Sequence, residues 1–397
     1  MGDSMLSRIG VCMVTYALPP DHSGAAKQAI TLASELISNH GVDIFFITQG
    51  NTQKSQFEKY VSGFRVIRIY KESLFWKILA PVRFFITFFI ERNNYSVIHV
   101  HGVGYLGKIA VLFGKLFNKP VILKMTMFTE DDAMSIKRSS WFDFWFFTKA
   151  TRYIAITRSF LESCLQAGVP ERKIVLIPNG VDTGRFKPIS TTEKKKQREK
   201  LGLPCDKTIL VYAGIIRPEK GIDFLLDALQ LIVRERSDVY LLVLGPLESW
   251  LPEEERQYAE AVVRRMAAPE LKDFVRYGGK VDNVHEFFQV ADIFVSASKR
   301  EGFPNVLLEA MSAGLPPVVV NIPGIHERIL QNGVNGIVVS KPDVSNFVLK
   351  VLMVVDDVHF RQILSSSALA TIGQHYSISA IADRYQELYT ELCDSVI

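Results

Sequence analysis

The chain has 397 residues, 48% hydrophobic and 22% charged, with a formal net charge of +4. This composition excludes intrinsic disorder, collagen-like repeats and small disulfide scaffolds, and the length suits two domains of about 100–200 residues each. The four cysteines, Cys12, Cys164, Cys205 and Cys393, are scattered with no Cys-x-x-Cys pair. That argues against a zinc ribbon or disulfide framework and suits a reducing, cytoplasmic compartment. Residues 1–185 carry 22 Lys+Arg against 14 Asp+Glu, or +8; residues 186–397 carry 24 against 28, or −4. A basic half favours an anionic partner or surface, although charge asymmetry between domains is also common.

In chain order, residues 1–10 lack a signal-peptide pattern, and Leu6 stands where myristoylation wants Ser or Thr. Residues 9–15 read as a strand. Residues 25–39 have helical spacing (Ala26, Ile30, Ala33, Leu36, Ile37) and end at Gly41. Residues 42–48 and 64–70 read as strands. The most apolar stretch, residues 78–90, is too short for a bilayer span of about 20 residues, and Arg83 interrupts it. With Lys77, Arg83 and Arg92 around that stretch, the region 75–92 fits either a helix buried on a sheet or a peripheral membrane contact. The aromatic run Trp141 to Phe147 poses the same choice. Strands follow at 97–100, 121–125, 153–156 and 174–177.

Residues 182–198 read as a linker entering a polar helix. Its run Lys194-Lys195-Lys196 has no interleaved aromatics, so a solvated surface is expected and nucleic-acid binding is not. The alternation then restarts, with strands at 209–213, 240–244, 275–278, 293–296, 317–320 and 336–339 and helices at 221–234 and 252–267. Strands alternating with helices predict parallel sheets, so the expected fold class is α/β: two Rossmann-like domains facing across a cleft.

Four loops carry candidate chemistry. Gly102-Val103-Gly104-Tyr105-Leu106-Gly107 matches a dinucleotide fingerprint, but it lies in a late βα unit and no acid ends the next strand. Its glycines are expected to let a backbone approach a ligand or helix. Pro19 to Ala26, including Gly24, places small residues at a helix start that favours anions. Gly214-Ile215-Ile216-Arg217-Pro218-Glu219-Lys220-Gly221 sets a guanidinium and an ammonium in one loop at the carboxyl end of a strand. The pair could clamp a diphosphate without a metal, or be two ordinary surface cations. The strongest signal is Glu301-Gly302-Phe303-Pro304-Asn305-Val306-Leu307-Leu308-Glu309, between a strand and an apolar helix over 306–313. Two carboxylates about two helical turns apart can face one pocket and accept hydrogen bonds from sugar hydroxyls, beside backbone N–H groups that suit phosphate.

Glu301-x7-Glu309 in this context resembles the signature of the retaining GT-B glycosyltransferases, more narrowly glycosyltransferase family 4 (glycosyl transferases group 1). Residues 177–182, 214–221, 243–245, 278–281, 321–327 and 332–338 resemble further segments of that family in order and spacing. Residues 376–393 resemble its last helix. The resemblance implies an acceptor domain over 1–187, a donor domain over 188–375, and a helix, 376–397, crossing back to the first domain.

It also implies a nucleotide-sugar donor, a glycan or lipid-linked acceptor, and polysaccharide-type biosynthesis with no resident cofactor or metal. By position, Arg217 and Lys220 would hold the diphosphate. Glu309 would bind ribose hydroxyls and Glu301 would face the donor sugar. Phe303, Pro304, Asn305 and Val306 would give backbone contacts. Gly24, Gly214, Gly245, Val281 and Gly302 would line the donor site. No Asp-x-Asp motif occurs, consistent with a metal-free leaving-group site. Many relatives carry His where Thr126 stands, so His101 is the candidate for the acceptor side, unless it simply packs at a strand end. The alternatives are a GT-B epimerase or phosphorylase, and a nucleotide-sugar binder without catalysis.

Overall fold

The computed structural model describes residues 9–19, 24–50, 58–61, 63–70, 74–128, 130–247 and 251–395. The expectations for residues 1–8, Pro20, Asp21, His22 and Ser23 lie outside them. The chain divides into two compact units, Met1–Gly180 with Ile378–Ile397, and Val181–Ser377.

The first unit runs β1 (Gly10–Thr15), α1 (Gly24–His40), β2 (Asp43–Gly50), β3 (Glu58–Val61), β4 (Phe64–Tyr70), α2 (Leu74–Glu91), β5 (Val97–His101), α3 (Tyr105–Phe117), β6 (Val121–Lys124), α4 (Ala133–Ser139), α5 (Trp141–Phe147), β7 (Arg152–Ala155), α6 (Arg158–Ala167) and β8 (Ile174–Leu176). Its sheet has the order β3-β4-β2-β1-β5-β6-β7-β8, parallel except for the β3–β4 pair. All six residues of β1 are buried, which is why it reads as a continuous apolar run rather than an alternating one.

The second unit runs α7 (Thr191–Leu201), β9 (Thr208–Ala213), α8 (Ile222–Ile232), β10 (Val239–Leu244), α9 (Glu253–Met266), β11 (Val275–Gly279), α10 (Val284–Val290), β12 (Ile293–Ser296), α11 (Asn305–Ser312), β13 (Pro317–Val320), α12 (His326–Ile329), β14 (Ile337–Val339), α13 (Val344–Asp356) and α14 (Val358–His375). Its six parallel strands are ordered β11-β10-β9-β12-β13-β14. The order reverses between β9 and β12, the switch point where such sheets open a crevice beyond their carboxyl ends. One stripe of α8 (Ile222, Leu225, Leu226, Leu229) joins Val351 and Val354 of α13 in the core. The last helix, α15 (Ile378–Asp394), belongs to the first unit, where it packs on α1 and β5.

The apolar stretch around residues 78–90 forms a helix that is covered by its neighbours on one side only. Ala80, Phe84, Thr87, Phe88 and Glu91 of α2 are buried, while Val82, Ile86, Phe89 and Ile90 are exposed. Both sets recur at helical spacing, so α2 carries one apolar face inward and another outward. Phe85, Phe88 and Phe89 pack ring to ring with Phe113 and Phe117 of α3.

The sequence led to the expectation of a solvated surface for the basic run of α7, and one of its three lysines departs from it. Lys195 and Lys196 are exposed, but Lys194 turns inward to Asp292 (Nζ–Oδ1 2.7 Å) and the carbonyl of Ala291. Ser190 and Glu193 close a capping box at the start of this helix, which fixes its rotation.

The G-x-G-x-x-G segment also has a structural reason. The ring of Tyr16, just past β1, lies over Gly102 and Gly104, and a Cβ on Gly104 would come 2.3 Å from its hydroxyl oxygen. The glycines seat an aromatic ring where a dinucleotide fingerprint would seat a pyrophosphate.

Candidate active site

The charged loops of the second unit leave adjacent strands at its switch point. β9 ends at Ala213 and β12 at Ser296, and the two strands pair directly. The loops are stitched together where Lys299 N donates to the carbonyl of Glu219 (2.8 Å). Lys220 closes a single 3-10 turn, Pro218–Lys220, and its Nζ meets Glu301 Oε1 at 2.7 Å. Their side chains are 18% and 22% exposed, so the pair is screened from water yet reachable. Beneath it Tyr212 is fully buried; burial, then the charge of Glu301, pushes its hydroxyl pKa up.

Arg217 points to a partner that the sequence did not single out. Its Nε and Nη2 donate to the two oxygens of Glu255 on α9, at 2.6 and 3.0 Å, with Glu219 3.4 Å from Nη1. This fork holds the Glu255 carboxyl below the usual range. The only sequence signal was the run Glu253-Glu254-Glu255, which is also what an ordinary helix N-terminus favours.

The strand ends make a tight floor. Gly245 follows β10 at φ 151°, and a Cβ there would fall 1.8 Å from the carbonyl oxygen of Gly214, so only glycine fits. Gly214 N donates to Leu244 O (2.9 Å) and Gly245 N to Gly279 O (2.8 Å), while Tyr277 Oη donates to Gly245 O (2.8 Å). Val281 lies two residues beyond β11.

After Glu301 and Gly302, Phe303 is buried and Pro304 precedes α11, at whose start Asn305 N donates to Phe303 O (2.9 Å) and Leu307 N to Pro304 O (3.0 Å). Asn305 and Val306 open that helix, where leading N–H groups favour an anion. Glu309, 4% exposed, sits among buried Leu308, Ala310 and Ser312. Gly24 begins α1 in the first unit, at the edge of the described residues.

His101 is 1% exposed and its ring stacks 4.2 Å from that of His99. Neither of its ring nitrogens has a hydrogen-bond partner, and burial pushes its pKa well down. It packs at the end of β5 beside Lys124, whose pKa burial lowers to about 7. His99 Nδ1 is 2.7 Å from Tyr389 Oη, which ties α15 to the sheet. Thr126 is occupied locally: its N–H and hydroxyl both donate to Asp131. Among the described residues, no group of three or more His, Cys, Asp or Glu is arranged to hold a metal ion.

Two family models match the chain. Residues 193–370 match "Glycosyl transferases group 1", and residues 22–185 match "Glycosyltransferase Family 4". The chain belongs to glycosyltransferase family 4. Its architecture is GT-B, two parallel-sheet α/β domains. This family 4 chain is 28% identical over 237 residues to the lipopolysaccharide 1,2-N-acetylglucosaminetransferase of Salmonella typhimurium, a match covering 59% of this chain and 61% of that protein. It is 26% identical to the UDP-Gal:alpha-D-GlcNAc-diphosphoundecaprenol alpha-1,3-galactosyltransferase of Escherichia coli, over 76% of this chain and 77% of that one. Its fold matches Anabaena HepE, solved in complex with UDP and glucose, with a TM-score of 0.78 at 17% identity, covering 97% of this chain and 100% of the other.

Proposed function

We propose that this chain transfers a glycosyl group, with retention, from a nucleotide-diphosphate sugar to a glycan or lipid-linked acceptor. The observation that carries this reading is the half-buried Lys220–Glu301 pair at the switch point of the second sheet. In it a cation suited to phosphate touches a carboxylate suited to sugar hydroxyls. On this reading, an incoming diphosphate exchanges for Glu301 at Lys220 and for Glu255 at Arg217. Glu301 is then free to accept from a donor-sugar hydroxyl. Glu309 serves the ribose, and the backbone from Phe303 to Val306 faces sugar and phosphate.

The sugar–phosphate C–O bond breaks with its electron pair passing to the diphosphate. The acceptor oxygen attacks from the same face and its proton goes to the departing phosphate. Lys220, Arg217 and the α11 N-terminus stabilise that charge without a metal. The named relatives are transferases, which does not favour the epimerase, phosphorylase or non-catalytic readings.

A thermal-shift series with nucleotide diphosphates and their sugars tests donor binding. At one hundred times Kd the matching nucleotide should stabilise the protein by about 2.7 kcal/mol. No shift with any of them would count against a donor site.

We also propose a peripheral contact with an anionic bilayer. No described helix is long and apolar enough to cross a membrane. The exposed row of α2 instead continues onto Leu112 and Leu116 of α3 and Trp141, Phe142 and Trp145 of α5, with exposed Lys115, Lys137, Arg138 and Lys149 on the same elements or beside them. An apolar face edged by cations suits anionic headgroups. The relative that acts on a diphosphoundecaprenol-linked sugar supports such a location. In flotation, wild type should rise with vesicles containing anionic lipid and Ile86→Asp/Ile90→Asp should stay below. Wild type remaining at the bottom would refute the contact.

A further inference from the structure

The first unit holds a cavity of about 370 Å³ between the end of α3, the end of α15 and the starts of β6 and β7, within the range of ligand pockets. Val121 opens β6 and Thr151 precedes β7, so the cavity lies at the amino edge of the sheet, at the opposite end of β6 from Lys124 and Thr126. Its polar lining is rich in donors. Lys115, Lys119 and Lys149 line it with Asn118 and Thr151, whose hydroxyl oxygen already accepts from Val121 N (2.9 Å) and whose hydrogen remains to be donated. Lys119 Nζ donates to the carbonyl of Tyr95 (2.8 Å), while Lys115 has no hydrogen-bond or ion-pair partner among the described residues. No Asp or Glu is among the lining residues.

The charge balance selects an anion. The C-termini of α3 and α15 supply roughly one negative charge between them. On α15, Glu391 is engaged by Arg152, which leaves Asp394, and Glu171 stands beside Arg172. Against these stand Lys115, Lys119, Lys149 and Lys173. The surplus is felt at Lys173, whose ammonium pKa is lowered first by burial and then by the charges of Lys115, Arg172, Arg152 and Lys149. A phosphate, with several acceptor oxygens, matches such a set of cations and donors.

The rim selects the kind of phosphate. Lys115 lies on α3 between the exposed Leu112 and Leu116, and Lys149 Nζ sits 5.1 Å from the ring centre of exposed Trp145. The cations of the cavity therefore adjoin an apolar surface, and an amphiphilic anion satisfies both. We infer that the cavity receives the phosphate of an anionic lipid headgroup, with the acyl chains along the exposed face of α3 and α5. This lipid is an anchor and not a reactant, because the length of β6 separates it from the loops at the carboxyl ends of the sheet. The inference rests on the bilayer contact proposed above and names the lipid class and the site that holds it.

Calorimetric titration of the full chain with dihexanoyl phosphatidylglycerol, kept monomeric below its micelle concentration, tests it. Wild type should bind this probe, and Lys115→Gln/Lys149→Gln should bind it about thirtyfold more weakly, the share of two cations in attraction to anionic lipid. Both side chains are exposed, so the core is untouched. Unchanged circular dichroism would show that the variant folds; a misfolded one is replaced by Lys149→Gln alone, with about a fivefold loss. Lys137→Gln/Arg138→Gln removes equal charge from exposed positions outside the cavity and should change affinity by less than about twofold. Equal losses in both double variants would overturn the inference in favour of a diffuse surface field. Dihexanoyl phosphatidylcholine binding as tightly would overturn it in favour of apolar adsorption, and inorganic phosphate binding as tightly would reassign the cavity to a free anion. Flotation separates the two readings. Wild type that floats while the monomeric lipid ignores Lys115 and Lys149 keeps the bilayer contact and loses the site; wild type that binds the monomeric lipid but stays at the bottom keeps the site and loses the contact.

Discussion

Lys220→Ala should lower sugar transfer by about two to three powers of ten while leaving the fold intact, the size expected when one preorganised charge is removed from a developing oxyanion. The side chain ends a tight turn beyond the carboxyl end of β9 and is not part of the hydrophobic core, so its loss opens no cavity there. The variant does leave Glu301 without the cation that meets it at 2.7 Å. Glu301→Gln is therefore the companion experiment. It keeps the shape and removes the charge, and if Glu301 contacts the donor sugar, kcat should fall more than KM rises. Steady-state assays with the nucleotide sugar identified by thermal shift provide the measurement. Wild-type transfer rates in Lys220→Ala would overturn the assignment of this residue to the diphosphate.

Asp292→Ala should destabilise the second unit by about 3 kcal/mol, because it removes one member of a largely buried ion network and strands the others. Asp292 accepts from Lys194 (2.7 Å), Arg198 (2.6 Å) and Ile209 N (2.7 Å), so α7 and β9 are both anchored on it. Arg198 is 6% exposed and would keep its charge with no carboxylate to meet it. Chemical denaturation monitored on this unit is the measurement, and a loss below about 1 kcal/mol would mean that water replaces the carboxylate. The pH dependence has a definite sign. Burial pushes the Asp292 carboxyl up, but the charges of Lys194 and Arg198 outweigh it and hold it below its ordinary value. Its stabilisation is therefore complete above the unfolded aspartate pKa of about 3.9 and is lost as pH falls through the lower folded value. Asp292→Ala should remove that part of the acid sensitivity.

Both experiments address residues whose roles were unequally visible beforehand. Lys220 and Glu301 stood out because each sits in a short loop between a strand and a helix, and strand and turn patterns are local properties. Asp292 did not stand out. It precedes β12 as one acid among many, and its importance comes from α7 folding back across it. Glu255 was hidden for the same reason: three acids at a helix start fit ordinary helix chemistry, and only the approach of Arg217 distinguishes the third. His101 shows the converse. A histidine at a strand end looks like chemistry, yet it is enclosed by His99 and Lys124 with no partner for either nitrogen.

The residues by themselves determined the two α/β repeats, the turn and helix that carry Glu301 and Glu309, and the loop that carries Arg217 and Lys220. Apolar period, glycine positions and turn residues act over a few neighbours and can be read in one dimension. Only the tertiary structure decided that Lys220 meets Glu301, 81 positions further along the chain, that Arg217 forks onto Glu255, and that α2 and α5 each carry a second, outward apolar face. Those pairings follow from the strand order, which sets β9 beside β12, and from which side of each helix its neighbours cover; spacing along the chain carries neither.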